Sequence, residues 1–327
     1  MNTVLPSPGA PIRVAVIGGG QNCEHDIGVA TAAAVCAALP GERYTAVPIT
    51  IGRDGTWHGS DGLPFPDGPA GALRLLSTCH VVFPAVHGPR GEDGALAAWC
   101  ELAGLPYVGS GVRAGALAMD KHTTKLLARD LGIATARAVC VTRPDGPVPL
   151  PLPVVVKPVA AGSSHGVRRV DAPQEYAPAV AAALDLDSRV LVEEFVDGRE
   201  VDVAVLRQAD GTLLVGPALQ IVTAPGTLFD TTDKYDGTAD FRIPADLTPT
   251  ERETLKNAAL TLFEALGCEG TARFDFFLDG SRIVLNEINT MPGMTAESQV
   301  PKMFAAVGLG YAELLTELVE GALRTVR

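Results

Sequence analysis

Two carboxylates, an amide and a guanidinium fall within one short stretch: Arg273, Asp275, Glu287 and Asn289, in ARFDFFLDGSRIVLNEINTMPGMT from Ala272 to Thr295. Hard oxygen donors of this kind suit a magnesium ion that keeps some waters and completes its shell with phosphate oxygens. Carboxylates set among Phe, Ile, Val and Leu are costly unless paired or metal-bound, which argues against a solvated surface hairpin. The stretch reads as two strands. Arg273, Asp275 and Phe277 alternate with Phe274, Phe276 and Leu278, and Glu287 and Asn289 sit two apart, so each set projects from one face. Asp279-Gly280 supplies the turn. If Leu278 faces Val284 across a five-residue loop, Asp275 lies beside Glu287 and Arg273 beside Asn289. A two-residue turn at Asp279-Gly280 instead puts Asp275 opposite Val284 and builds no site.

Other candidates lie where strands hand over to loops. Arg13 to Gly18 is a β-branched run ending in Gly18-Gly19-Gly20, then a helical stretch from Glu24 to Leu39 and a strand-like run from Tyr44 to Ile51, which together open a βαβ unit. GGGQNC lacks the G-x-G-x-x-G spacing, so a dinucleotide cofactor is not expected. Glu24 at the helix start is explained equally well by the helix dipole alone. His80 to Val86 reads as a further strand and Gly91 to Ala103 as a helix with Glu92 and Asp93 in its first turn. Between them His87 sits where α/β folds place ligands. Pro106 to Gly111 links into a second unit, whose helix carries Lys121. Pro153 to Pro158 is a strand ending in Lys157, followed by a glycine-rich loop, Val159 to Gly166, and a strand, Val167 to Val170. That loop can cover phosphates with backbone N–H groups, although it is no P-loop; on their own, the two lysines read as solvated surface residues. Residues 172–186 read as a helix, 189–196 as a strand, 200–207 and 213–222 as strands of a third unit, 255–266 as its covering helix and 312–326 as a closing helix. Thr223 to Ile243 shows neither period, the pattern of a lid.

At 327 residues, 47% apolar and 20% charged, the chain can bury cores for two or three domains. A net charge of −12 excludes attraction to nucleic acid or an anionic membrane, so any polyphosphate must be held by local cations and helix N-termini. Cys23, Cys36, Cys79, Cys100, Cys140 and Cys268 form no CxxC pair and read as reduced, mostly buried residues of a cytoplasmic protein. The first dozen residues have no basic segment or apolar run of a leader and read as a frayed tail, and no run reaches transmembrane length.

In the hairpin the chain resembles the ATP-grasp ligases. With NEINTMPGMT, HGPRGEDG at 87–94 and GSSHG at 162–166, it resembles the D-alanine:D-alanine ligase branch, from Val14 to the final helix. The resemblance implies an α/β fold, α+β in its C-terminal part, in three units. These are a Rossmann-like parallel-sheet domain at 1–109, a central domain at 110–192 and a C-terminal domain at 193–327 with the lid at 223–243. It implies ATP and magnesium, as two ions with manganese as an alternative, small amino-acid substrates and a homodimer. Lys121, Lys157 and Lys234 would meet phosphates, Glu193, Phe195 and Val196 adenine, and Glu200 the ribose; the same letters around Asp197-Gly198 also fit a plain amphipathic hairpin. Asp275, Glu287 and Asn289 would hold metal. Glu24, Ser163 and Tyr235 would link the first substrate to the lid, with His87 in support. Arg273 and the Gly293 N–H would meet a tetrahedral oxyanion, and Ser298 the second substrate's carboxylate. Three positions depart from the pattern: Gly28 for the usual Ser, His165 for an apolar residue and Gln299 for the usual Leu. At the second-substrate pocket, Gln299 raises D-serine or another amino acid as an alternative acceptor.

Overall fold

The computed structural model describes residues 9–222, 240–280 and 282–324. Three sheets organise it. The first is built from β1 (Ile12–Gly19), β2 (Tyr44–Ile51), β3 (Trp57–His58) and β4 (Val81–Pro84) in the order β3-β2-β1-β4. β1 is parallel to both β2 and β4. It is buried on both faces, as its unbroken apolar run demands: Val14 and Val16 face one core, Ala15 and Ile17 another. The covering helices are α1 (His25–Ala38), α2 (Pro69–Leu76) and α3 (Ala95–Ala103). A Cβ on Gly28 would stand 2.4 Å from the Gly19 carbonyl, so the close approach of α1 to β1 accounts for glycine at this departure from the resembled pattern. α3 begins four residues later than the sequence suggests. Glu92 and Asp93 lie in the preceding turn, where Asp93 accepts from the N–H groups of Arg90 and Ala95.

Helices α4 (Val112–Met119) and α5 (Lys121–Asp130) lead to a small antiparallel sheet of β5 (Ala138–Val141), β6 (Val154–Pro158), β7 (Arg168–Val170) and β8 (Val190–Glu194). Its order is β5-β8-β6-β7, covered by α6 (Pro173–Leu184). The third sheet joins β9 (Arg199–Arg207), β10 (Leu213–Val215), β11 (Leu219–Val222), β12 (Asp240–Arg242), β13 (Thr271–Asp279) and β14 (Arg282–Asn289), with α7 (Pro249–Leu266) on one face. α8 (Gln299–Ala305) and α9 (Tyr311–Arg324) pack on the other. Alternation explains the layering. Phe274, Phe276 and Leu278 join Val201, Val203 and Val205 under α7, while Ala204 and Leu206 join α8, α9 and the first sheet in a shared core. α7 starts earlier than expected because Thr248 and Glu251 form a reciprocal capping box ahead of Pro249. Of the lid stretch, residues 223–239, with Lys234 and Tyr235, lie outside the described residues; Asp240–Arg242 pairs with β11.

The hairpin corrects one expectation. Leu278 pairs with Ile283, not Val284, and Asp279 with Arg282, so the turn is short. Asp275 nevertheless pairs with Glu287 and Arg273 with Asn289, because a bulge at Asn286 shifts the register between Asp275 and Phe276. The bulge also lets Leu285 and Ile288, three apart, both reach the core beneath α7. Outside it, Leu285 bridges to Thr135 and its N–H donates to the Ala134 carbonyl, fastening the segment after α5 to the hairpin.

Candidate active site

A cleft of about 600 Å³ opens between the small sheet and the third sheet, lined by Lys121, Lys157, Glu193, Phe195, Val196, Glu200 and Glu287. Neither lysine is solvated. Lys157, 5% exposed at the end of β6, donates to the Asn286 side chain at 3.0 Å and stands 2.7 Å from Glu193. Lys121, in the first turn of α5, donates to the Ala161 carbonyl at 2.7 Å and stands 3.3 Å from Glu287. It thereby ties the glycine-rich loop to the hairpin. Phe195 forms an apolar wall, with the Arg169 guanidinium 4.2 Å from its ring centroid. His165 also lines the cleft.

Sequence reasoning missed Lys125. It is fully buried, 2.8 Å from Glu193, and donates to the carbonyls of Leu285 and Asn286. Its spacing of four from Lys121 on one helix face was the available signal. Two ammonium groups thus share one buried carboxylate. Burial pushes Lys125 down to about 8, with Glu193 opposing the shift and Lys157 adding to it. Burial alone would raise the Glu193 carboxyl, but Lys125 and Lys157 outweigh it and hold the group below its ordinary value.

The excess positive charge faces the cleft floor and suits a polyanion. Lys125→Met should therefore raise KM for a polyphosphate substrate about tenfold, the scale of one charge-assisted contact. The folded value of Lys125 lies below its unfolded one of about 10.4. Below pH 8 both states hold the proton and its burial cost applies in full; from about 8 to 10 the folded chain releases it first, so this group's contribution to stability rises with pH. KM for a polyphosphate substrate should rise through that same pH, and Lys125→Met should lose the inflection. A variant matching its parent in both profiles would exclude the role.

A second cluster surrounds Glu24. Its backbone caps α1, yet its side chain makes no bond to the helix end; Oε1 accepts from Ser163, whose backbone is left-handed at φ 51°. The helix dipole alone therefore does not account for Glu24. Burial and then Glu92 raise its carboxyl above the ordinary range, with the Ser163 hydrogen bond and His87 opposing. Oε2 is buried without a hydrogen-bond partner, and a Cβ at Gly162 would lie 2.4 Å from it. His87 is buried with both ring nitrogens engaged, Nε2 to Thr31 at 3.0 Å and Nδ1 to the Met291 carbonyl at 2.9 Å. Burial favours its neutral form, but Glu92 and Glu24 outweigh this and raise it.

On the face of β13 opposite α7, Arg273 donates through Nε and Nη2 to both oxygens of Asp275, at 2.6 and 2.7 Å. Asn289 accepts from the Met291 N–H. Ser298 bonds Thr295 through both that residue's N–H and its hydroxyl, and a Cβ on Gly293 would lie 3.1 Å from the Ser298 hydroxyl. Gln299 turns to Arg273 and Asp202. Among the described residues all six cysteines are free; Cys79, Cys100 and Cys268 are buried and Cys23 is exposed. No helix among them is long and apolar enough to cross a membrane.

A sheet that is parallel except for its antiparallel edge strand β3, a departure from the all-parallel expectation, is followed by two antiparallel sheets that close on a lysine-floored cleft, and this arrangement defines an ATP-grasp enzyme. The chain matches the family models for the D-ala D-ala ligase N-terminus over residues 13–110 and C-terminus over 147–320, and it belongs to that family. It is 42% identical to D-alanine--D-alanine ligase A of Mesorhizobium japonicum, covering 95% of this chain and 97% of the relative. Among solved structures it resembles the VanG D-Ala:D-Ser ligase of Enterococcus faecalis, with TM-score 0.79, 31% identity and coverage of 96% and 100%. It also resembles the D-alanine--D-alanine ligase of Bacillus anthracis complexed with ATP, with TM-score 0.78, 26% identity and coverage of 96% and 98%.

Proposed function

We propose that the chain joins two D-alanine molecules into D-alanyl-D-alanine while converting ATP to ADP and phosphate, supplying the dipeptide for peptidoglycan precursors. The observation that carries this reading is the pairing of Arg273 with Asn289 and Asp275 with Glu287 on one hairpin, linked through Lys121 to the cleft floor. A free carboxylate is a poor acyl donor. ATP phosphorylates that of the first D-alanine, the second D-alanine's amine attacks the acyl phosphate, and phosphate leaves. Positioning and charge stabilisation dominate such a step, so no side-chain nucleophile is needed.

Lys121 and Lys157 hold ammonium groups against the phosphates, and Lys234 adds a third from the lid stretch 223–243. Glu193, Phe195 and Val196 meet adenine, and Glu200 accepts from the ribose hydroxyls. Glu24 receives the first ammonium, joined through Ser163 to Tyr235 and backed by His87. Arg273 and the Gly293 N–H meet the tetrahedral oxyanion, and Ser298 the second carboxylate. Two register-paired carboxylates beside an amide fit a hard cation: Asp275, Glu287 and Asn289 would hold magnesium, as two ions with manganese as an alternative, which supplies charge neutralisation during phosphoryl transfer. The reading divides the work among units at 1–109, 110–192 and 193–327, in a cytoplasmic homodimer. D-Serine as acceptor is not favoured, because both ends of the Gln299 amide are engaged within the protein.

With ATP and D-alanine, the purified protein should release ADP and D-alanyl-D-alanine in equal amounts. ADP without dipeptide, or a preference for D-serine as acceptor, would overturn the reading.

A further inference from the structure

Arg273 stands between two buried carboxylates that are register partners on adjacent strands, Asp275 on β13 at 3% exposure and Asp202 on β9 at 0%. Both compete for one guanidinium. Nε and Nη2 satisfy Asp275, and Nε also lies 3.5 Å from Asp202. The opposite corner, Nη1, donates to Gln299 Oε1 at 2.6 Å, while Gln299 Nε2 donates to Asp202 Oδ2 at 2.8 Å. A primary amide is suited to this place: its carbonyl accepts from the guanidinium without adding negative charge, and its N–H₂ answers the carboxylate without adding positive charge. Among the described residues three of the five guanidinium N–H groups are engaged in this way, leaving one on Nη1 and one on Nη2.

Gln299 can hold that position because its backbone is fixed. It opens α8, whose Val300, Pro301, Met303 and Phe304 are buried, most of them in the core shared with the first sheet. We propose that Gln299 is the positioning residue for Arg273: it locks the plane of the guanidinium and diverts Asp202, so that the two remaining N–H groups are held toward the reacting acyl centre. Its amide does not read the second amino acid. The inference rests on the ligase reading for the identity of that centre, and on geometry alone for the coupling of the two side chains.

The full-length protein and two variants test it. Gln299→Leu lowers kcat about tenfold, the scale of losing a hydrogen bond to a charged group, with KM for ATP and the D-alanine to D-serine acceptor ratio unchanged. Gln299→Glu has nearly the same shape and reproduces the amide's pattern only when protonated, its carbonyl accepting from Arg273 and its O–H donating to Asp202. Its kcat is close to the parent's at acid pH and falls, relative to the parent, as pH rises and that proton is lost. A changed acceptor ratio with kcat intact, or a Gln299→Glu profile parallel to the parent's, overturns the proposal; the second variant decides the matter if Gln299→Leu does not fold. A readout independent of activity is the exchange of the Arg273 guanidinium protons by NMR, slow in the parent and fast in Gln299→Leu. Equal exchange in both overturns the coupling. A parent that shows the slow protons but makes no dipeptide overturns the ligase reading and leaves the coupling standing.

Discussion

Arg273→Lys should lower kcat roughly 10² to 10³-fold, the size of losing a preorganised donor to a developing oxyanion, with KM for ATP little changed. The substitution keeps the charge and removes the fork. Charge itself is secure in the parent: burial opposes it, but Asp275 and then Asp202 and Glu287 raise the guanidinium well above its ordinary value. What lysine cannot do is donate to both oxygens of Asp275 and to Gln299 at once, as three nitrogens of Arg273 now do. Steady-state ADP release at saturating D-alanine measures the effect. A variant with normal kcat and a raised KM would assign Arg273 to ground-state binding instead.

Glu287→Gln should cut turnover by about 10²-fold and weaken the apparent affinity for magnesium, because the amide keeps an oxygen ligand but discards the charge. Neutralising a transferring phosphoryl group through a metal is worth several kcal/mol, and the variant also loses the partner of Lys121 at 3.3 Å. Titrating magnesium against both proteins, with excess chelator as the end point, gives the measurement. Undiminished turnover in the variant, or a parent that runs in chelator, would remove the hairpin from the chemistry.

The alternation of Phe274, Phe276 and Leu278 against Arg273 and Asp275 was legible in the sequence because a strand has a period of two and one face packs on a helix. The register was not. Local turn chemistry and the observed pairing of Asp275 with Glu287 conflict unless one residue is extruded. What stabilises the extruded Asn286 comes from far along the chain: Lys157 on its side chain and Lys125 on its carbonyl. The partners of Gln299 were hidden for the same reason, since Asp202 lies 97 positions earlier and only the sheet brings the two together. By contrast, the start of α7 was written locally, in Thr248, Pro249 and Glu251, and the apolar period that begins at Leu255 masked it.

The bridge from Thr135 to Leu285 bears on solubility. β14 is the last strand of its sheet, and an uncovered last strand is a template on which a second chain can add its own. Here the Leu285 N–H is bonded to the Ala134 carbonyl, and the carbonyls of Leu285 and Asn286 accept from Lys125, so the middle of the ladder offers an incoming strand little to pair with. At the far side β12 is only three residues long and carries Asp240 and Arg242, charges that resist docking. Lys125, which helps to floor the nucleotide cleft, thereby also helps to keep the β14 edge from extending the sheet beyond its own molecule.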